Sequence, residues 1–280
     1  MKYGIDPNNF KISCSRIGEI MGNQNAKTKA EKVADMEADI KTRTGKRDAL
    51  RDGLTSKATA TEKIKALEIE LQELKSAPEI KVLSDGAKTL CREWVTTAIY
   101  ERKKAFTSKY TDKGTATEND AIKLLNGFYG WKAEKNETRK FSEYIHGECD
   151  IHIPKIRVED IKVSYSCFTF PIFDNGIPDK KYEWQVRGYG HLWNVPVMGV
   201  SYCLMDMPDD MIAQELRYRF KSPPSEQEYR EAAQEFYYSH MPDELRIKSF
   251  EFEHDQKPID KICENVVLCR EYISSLLENL

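Results

Sequence analysis

Apolar and polar positions along this 280-residue chain change period several times, and each change marks an element. Ile17, Ile20 and Met21 recur at helical spacing after Ser13 and Ser15, which predicts a short helix capped by one of those serines. From 27 to 76 no aromatic residue occurs, and Lys, Glu, Ala and Thr dominate. Val33, Met36 and Ile40 keep heptad spacing there, as do Ile64, Leu67, Leu71 and Leu74. The pattern predicts two helices folded back through a polar region at 42–61, with Ala77-Pro78 as the exit. It reads as a helical hairpin inserted into a single domain of residues 1–280. Leu90, Trp94, Val95, Ala98 and Ile99 share one face of a helix over 84–105, capped by Ser84 or Asp85. Within 113–125 a shorter helix is expected after Gly114.

The period then drops to two. Ile151-His152-Ile153 alternates, as does 156–163, and Pro154-Lys155 between them supplies a turn, so the stretch predicts a β-hairpin. A Pro-, Asp- and Gly-rich loop at 171–178, a helix over 181–192 and a buried strand over 195–205 follow. An amphipathic helix over 258–280, with Ile259, Ile262, Val266, Val267, Ile273 and Leu276, ends the chain. This order predicts an α/β fold with a small mixed sheet flanked by helices.

The hairpin carries the candidate chemistry. Centred on Lys155, it sets Asp150 directly opposite Asp160, with Cβ atoms roughly 5 Å apart on one face. Lys162 shares the face of Asp160, while Ile161 and Val163 point to a core and Glu159 points away. Two facing carboxylates repel, and a hard cation between them removes that repulsion; Mg²⁺ favours one or two carboxylates plus waters. An ammonium beside them can hold or help deprotonate water. The set points to phosphodiester cleavage.

Composition bounds the reading. Hydrophobic residues make up 40% of the chain, enough for a core, and charged residues 32%, which fits an exposed helical element. A net charge of −3 and a pI near 6.1 give no global basic field, which counts against a pure DNA-binding module. A local basic stretch runs from Arg102, Lys103 and Lys104 to Lys109 and Lys113, serving nucleic acid or simply a solvated helix end. No apolar signal core opens the chain and no run reaches membrane-span length, so an intracellular, soluble protein is expected. Seven cysteines without a C-x2-C pair read as reduced core thiols. Phosphate-loop, zinc-protease and serine-hydrolase motifs are absent.

Four landmarks in order carry a resemblance: Ile12-Ser13-Cys14-Ser15; Glu118-Asn119-Asp120-Ala121; Asp150 followed by Asp160-Ile161-Lys162; and Tyr182-Glu183-Trp184-Gln185-Val186. In these the chain resembles the lambda-type phage exonucleases, also called YqaJ-type viral recombinase nucleases, over nearly everything except 27–76. The resemblance implies a PD-(D/E)xK, restriction-endonuclease-like core. It implies a Mg²⁺-dependent DNA exonuclease, with Mn²⁺ as a substitute, acting on duplex ends in phage or prophage recombination in a bacterial cytoplasm. It further implies a single-strand annealing protein as partner and a trimer as homo-oligomer.

Residue by residue, Asp150 and Asp160 match the metal-binding carboxylates and the backbone carbonyl of Ile161 the main-chain ligand. Lys162 matches the catalytic lysine, and Glu118 an acidic residue that approaches the metal or its waters. Gln185 and Tyr182 match helix residues lining the site, Tyr182 also as a DNA contact. Ser13 and Ser15 match hydroxyls that contact phosphate near a helix N-terminus. Each has a plainer alternative: Glu118 as a capping-box partner of Thr115, Gln185 as an exposed amide, and the serines as ordinary caps. The chain also departs from the family. Cys149 and Ile151 replace the usual Pro and Gly around the first aspartate, and Asp160 stands for the more frequent glutamate. The arginine that grips a 5′-phosphate has no counterpart; Lys11 and Arg16 stand nearest. An endonuclease on the same fold, and an interaction protein docking through the hairpin, are the rival readings.

Overall fold

The computed structural model describes residues 2–22, 29–76, 83–102, 104 and 109–280. These fall into two units, Met1–Met21 with Leu83–Leu280, and Gly22–Val82. In chain order the elements are β1 (Ile12–Ser13), α1 (Ile17–Ile20), α2 (Lys29–Asp48), α3 (Thr55–Ser76), α4 (Asp85–Tyr100) and α5 (Lys109–Tyr129). Then come β2 (Lys140–Phe141), β3 (Ile145–Gly147), β4 (Ile151–Ile153), β5 (Arg157–Val163), α6 (Lys180–Trp193) and β6 (Val197–Cys203). α7 (Asp209–Arg219), α8 (Glu226–Ala233), β7 (Ile247–Glu253) and α9 (Gln256–Glu278) complete the fold.

The larger unit is built on a sheet of order β4-β5-β6-β7, in which β5 and β6 are parallel and both outer pairs antiparallel. The parallel pair is joined through α6, so β5 is covered on both faces. Val158 packs into the core made with α4, α6 and α9, whereas Ile161 and Val163 pack on Ala121 and Leu125 of α5. A second, three-stranded sheet of order β1-β3-β2 lies beside α6. That approach needs small residues: a Cβ at Gly147 would lie 2.7 Å from the Tyr189 ring, and one at Gly188 would lie 2.6 Å from Ile17.

The expected hairpin register is the observed one. Ile151 pairs with Glu159, His152 with Val158 and Ile153 with Arg157. The Ile156 N–H donates to the Ile153 carbonyl at 3.0 Å, with Pro154 pre-set for the turn and Lys155 in the left-handed region at φ 63°.

Several expectations are corrected. Ser13 and Ser15 do not cap α1; they bond each other at 3.0 Å, because the chain there is extended as β1 and then turns in a 3-10 step. α5 starts at Lys109, so Gly114 and Thr115 lie inside it. Thr115 donates back to the Thr111 carbonyl at 3.0 Å and cannot form a capping box with Glu118. Ser84 is the cap of α4, accepting from the Ala87 N–H at 3.2 Å. α4 ends at Tyr100, short of the projected 105, because Glu101 turns into the left-handed region at φ 53°, and the exit at 77–78 lies outside the described residues. The basic stretch is largely the solvated helix end: Arg102, Lys104 and Lys109 are exposed beyond the end of α4, and Lys113 alone departs from that reading. Lys104 pairs with Glu93, Lys109 with Glu215, and Lys113 is fully buried, while Lys103 is outside the described residues. Cys167 is exposed, unlike the buried thiols of Cys14, Cys91, Cys149, Cys203 and Cys269.

The sequence reading also missed elements. α8 carries a full capping box, Ser225 with Glu228, and β7 alternates Phe250, Glu251, Phe252, Glu253; both signals were present. β1, β2 and β3 are two or three residues long and leave no periodicity to read.

The smaller unit is a pair of helices, α2 and α3. Val33, Met36, Ile40, Leu67, Leu71 and Leu74 are half-buried and Ile64 is fully buried, as the heptad stripes require. The reversal occupies only residues 49–54, not 42–61. Thr42, Thr59 and Thr61 stay helical by donating their hydroxyls to the carbonyls four residues back. No helix among the described residues is long and apolar enough to cross a membrane.

Candidate functional site

A cavity of about 610 Å³ opens between α5, the C-terminal half of β5 and α6, lined among others by Glu118, Asp150, Asp160, Lys162, Tyr182 and Gln185. The sheet places the two aspartates. Asp160 is in β5 and 2% exposed, and Asp150 immediately precedes β4. With β4 ending its ladder at Glu159, the N–H of Ile161 has no strand partner on that side. The Asp150 carboxylate takes it instead, Oδ2 accepting at 2.6 Å. N–H and C=O of one extended residue point to the same side, so the Ile161 carbonyl faces that same open edge.

On the other side Gln185, which is buried, donates from Nε2 to Asp160 Oδ1 at 2.7 Å and to the Tyr189 hydroxyl at 3.0 Å. The exposed-amide alternative for Gln185 is thereby excluded. Tyr189 was not anticipated, although its spacing of four from Gln185 puts both on one helix face. Lys162 Nζ lies 2.7 Å from Asp160 Oδ2 and 4.4 Å from the Tyr182 ring centroid. Glu118 is also in the cavity wall but is held by Lys135 at 2.7 Å, another residue the sequence did not flag.

The electrostatics are those of a crowded anionic pocket. Burial, and then the charge of Asp160, push the Asp150 carboxyl up to about 8, against the Ile161 N–H and Lys162, which favour its charge. Burial disfavours the Lys162 ammonium, but Asp160 and Asp150 more than offset this and hold it above the ordinary lysine range. Asp160 Oδ2 is buried and, despite its proximity to Lys162, has no well-aligned hydrogen bond.

These features fit a divalent cation. Two hard carboxylates line one cavity beside the open strand edge of Ile161, one buried oxygen has the Lys162 ammonium 2.7 Å away but no well-aligned hydrogen bond, and burial with the neighbouring carboxylate penalises a second negative charge. Among the described residues no group of three His, Cys, Asp or Glu side chains gathers at metal-binding range. Glu118 is accordingly a candidate through water rather than directly.

The remaining predicted residues are elsewhere. Lys11, Ser13 and Arg16 line a separate cavity of about 280 Å³ with Glu93, Trp94 and His146. Arg16 is engaged by Glu19 at 2.7 Å and Glu93 at 2.9 Å, and Lys11 donates to the Ser142 carbonyl at 2.6 Å. Ser15 is bonded to Ser13 and is not part of either wall.

Taken together, the mixed sheet and flanking helices form an α/β fold that solved exonuclease structures share. Solved structures of similar architecture are phage-related and alkaline exonucleases. A phage-related exonuclease from Haemophilus somnus 129PT aligns over 97% of this chain and 98% of its own, with a TM-score of 0.64 and 23% identity. The alkaline exonuclease LHK-Exo from Laribacter hongkongensis, in a complex with dAMP, aligns over 96% and 90% with a TM-score of 0.54 and 10% identity. No protein-family model matches the sequence, and no curated protein matches it.

Proposed function

We propose that this protein is a metal-dependent deoxyribonuclease that hydrolyses phosphodiester bonds from the ends of duplex DNA. The observation that carries the reading is that Asp150, Asp160 and Lys162 line one cavity, with the Lys162 ammonium 2.7 Å from the buried Asp160 carboxylate. Similarity to exonuclease structures supports it, and the dAMP complex of the Laribacter protein favours a deoxynucleotide occupant. Asp150, Asp160 and the Ile161 carbonyl would hold Mg²⁺, or Mn²⁺ in its place, with Glu118 reaching it through water. When bound, the ion supplies Lewis-acid neutralisation of the phosphate charge and acidifies water.

The chain's own groups do the rest. Gln185 keeps the Asp160 carboxylate in one orientation, itself anchored on Tyr189. Lys162 Nζ orients the attacking water and stabilises charge on the phosphate oxygens, and the Tyr182 ring restricts its swing. Ser13, Ser15, Lys11 and Arg16 would contact the backbone of the same DNA. A phage or prophage recombination role, an annealing-protein partner and a trimeric assembly belong to the same proposal.

An endonuclease on this fold is the second reading. It is favoured by the engagement of Arg16 and Lys11 with protein partners, which leaves no committed grip for a terminal phosphate. One gel assay separates the two, using end-labelled linear duplex and covalently closed circles with and without Mg²⁺. Consumption of the linear duplex alone, only with Mg²⁺, is the expected result. Comparable cutting of closed circles would select the endonuclease, and no cleavage of either would refute both.

A further inference from the structure

Asp150 lies where sheet pairing stops. β3 ends at Gly147, β4 begins at Ile151, and the β4–β5 ladder runs out with Ile151 opposite Glu159, one residue short of the aspartate. Another residue, Asn136, holds the chain there. Its backbone N–H donates to the Asp150 carbonyl at 2.8 Å, and its side-chain Nδ2 donates to the Cys149 carbonyl at 2.8 Å. Those carbonyls belong to the two peptide planes on either side of the Asp150 Cα, so a single residue restrains both soft dihedrals of Asp150. Asn136 is braced in turn. Its Nδ2 also donates to the Thr138 carbonyl at 3.0 Å, while Oδ1 accepts from the Thr138 N–H at 3.3 Å, which settles the orientation of the amide. Its neighbour Lys135 forms an antiparallel bridge with Ile151.

We propose that Asn136 is a positioning residue for the divalent cation, clamping Asp150 opposite Asp160 from outside the Asp, Asp and Lys set. The inference rests on the proposed metal-dependent reaction. Two carboxylates facing one cavity repel when both are ionised, and beyond the isolated Lys135–Ile151 bridge no strand ladder restrains the chain at Asp150. The clamp supplies that restraint, so both carboxylates face one point before the cation arrives. A residue that acts through a ligand's orientation is worth about 10–100-fold in metal affinity.

The test compares wild type with Asn136→Ala and Asn136→Asp. Asn265→Ala serves as a folding control, because Asn265 clamps the Ile20 carbonyl at 3.1 Å in another part of the unit. Mg²⁺ binding is measured by titration calorimetry, and cleavage as separate kcat and KM for DNA. Both Asn136 variants are expected to bind Mg²⁺ about 10–100-fold more weakly, with kcat reduced and KM for DNA little changed. Asn136→Asp is the sharper probe, since its added negative charge would tighten Mg²⁺ if charge alone mattered. Wild-type affinity in Asn136→Ala, or tighter binding in Asn136→Asp, overturns the proposal. So does an equal loss of Mg²⁺ affinity in Asn265→Ala, which would reduce the effect to general destabilisation. If wild-type protein neither binds Mg²⁺ nor cuts DNA, the proposed function itself fails, and that outcome is distinct from wild-type behaviour of the Asn136 variants.

Discussion

Two adjacent carboxylates in β5, Glu159 and Asp160, are both sealed from solvent, yet the two faces of the strand treat them in opposite ways. Glu159 is saturated. Arg157 grips Oε2 from Nη2 at 2.6 Å and from Nε at 3.0 Å, and the Ser201 hydroxyl donates to Oε1 at 2.6 Å. Arg157 in turn pairs with Glu251 and lies over the Trp131 ring, and Ser201 connects through Ser249 to the Tyr129 hydroxyl. Gly199 leaves room for this carboxylate, since a Cβ there would lie 2.2 Å from Oε2. On the opposite face Asp160 has one oxygen held by Gln185 and the other 2.7 Å from the Lys162 ammonium without a well-aligned hydrogen bond, next to a second carboxylate. Burial alone therefore does not distinguish function from structure. The degree of satisfaction does: a saturated buried charge holds strands together, and an unsaturated one beside a cavity is arranged for something that binds.

The strongest test of this contrast is to neutralise the unsaturated side. Asp160→Asn, Asp150→Ala and Lys162→Met are each expected to lower the cleavage rate by about 1,000-fold or more while the protein stays folded, as for loss of groups acting together at a reacting centre. Calorimetry should separate them, with the aspartate variants losing Mg²⁺ affinity and Lys162→Met keeping it. Near-wild-type turnover in any of the three removes that residue from the site.

Glu159→Ala should do the reverse. It removes the buried partner of the largely buried Arg157, leaving only the exposed Glu251, and should cost about 3 kcal/mol in denaturant unfolding, with Mg²⁺ affinity of the folded fraction retained. A variant of unchanged stability but lost activity would collapse the distinction between the faces.

Lys113 extends the comparison to a buried cation that has two carbonyls, of Ser164 and Tyr165, but among the described residues no carboxylate in contact. Burial lowers its pKa from 10.5 to about 8. Between those values the unfolded chain keeps a proton that the folded protein has shed, so stability should rise with pH from about 8 to 10.5. The gain is on the order of 3 kcal/mol, and below pH 8 the full penalty of the buried ammonium applies. Denaturation of wild type and Lys113→Met across this range reads the effect as a stability difference that narrows or inverts in favour of wild type. A difference independent of pH would mean the ammonium carries no such penalty.

The smallest effect is expected where burial is thinnest. Among the described residues of the α2–α3 pair only Ile64 is fully buried. Replacing 27–76 by a short Gly-Ser linker should leave the cleavage rate near wild type and weaken association with sister subunits or a recombination partner, read by light scattering. Unchanged mass and rate would make the hairpin an inert insertion. A folded but inactive deletion would mean that it shapes the site.

The sequence by itself determined much of this. The Pro154-Lys155 turn and the alternation on either side were enough to place Asp150 opposite Asp160, because a one-residue slip would have turned Ile161 and Val163 out of the core. Helical periodicity over many residues likewise set α2, α3, α4, α6 and α9, since an apolar stripe has to be covered wherever it lies. What only the tertiary structure decided were relations between residues distant in the chain. Gln185 turned inward onto Asp160, Glu118 was taken by Lys135, and Lys113, read as part of a basic stretch at a solvated helix end, was drawn into the interior. The strands β1 to β3 were invisible because two or three residues carry no period. Asn136 was invisible because its contribution is two hydrogen bonds to a turn 13 and 14 residues later. Local pattern reports which face a side chain takes, whereas hydrogen-bond partners and charge neighbours exist only once separate segments have packed together.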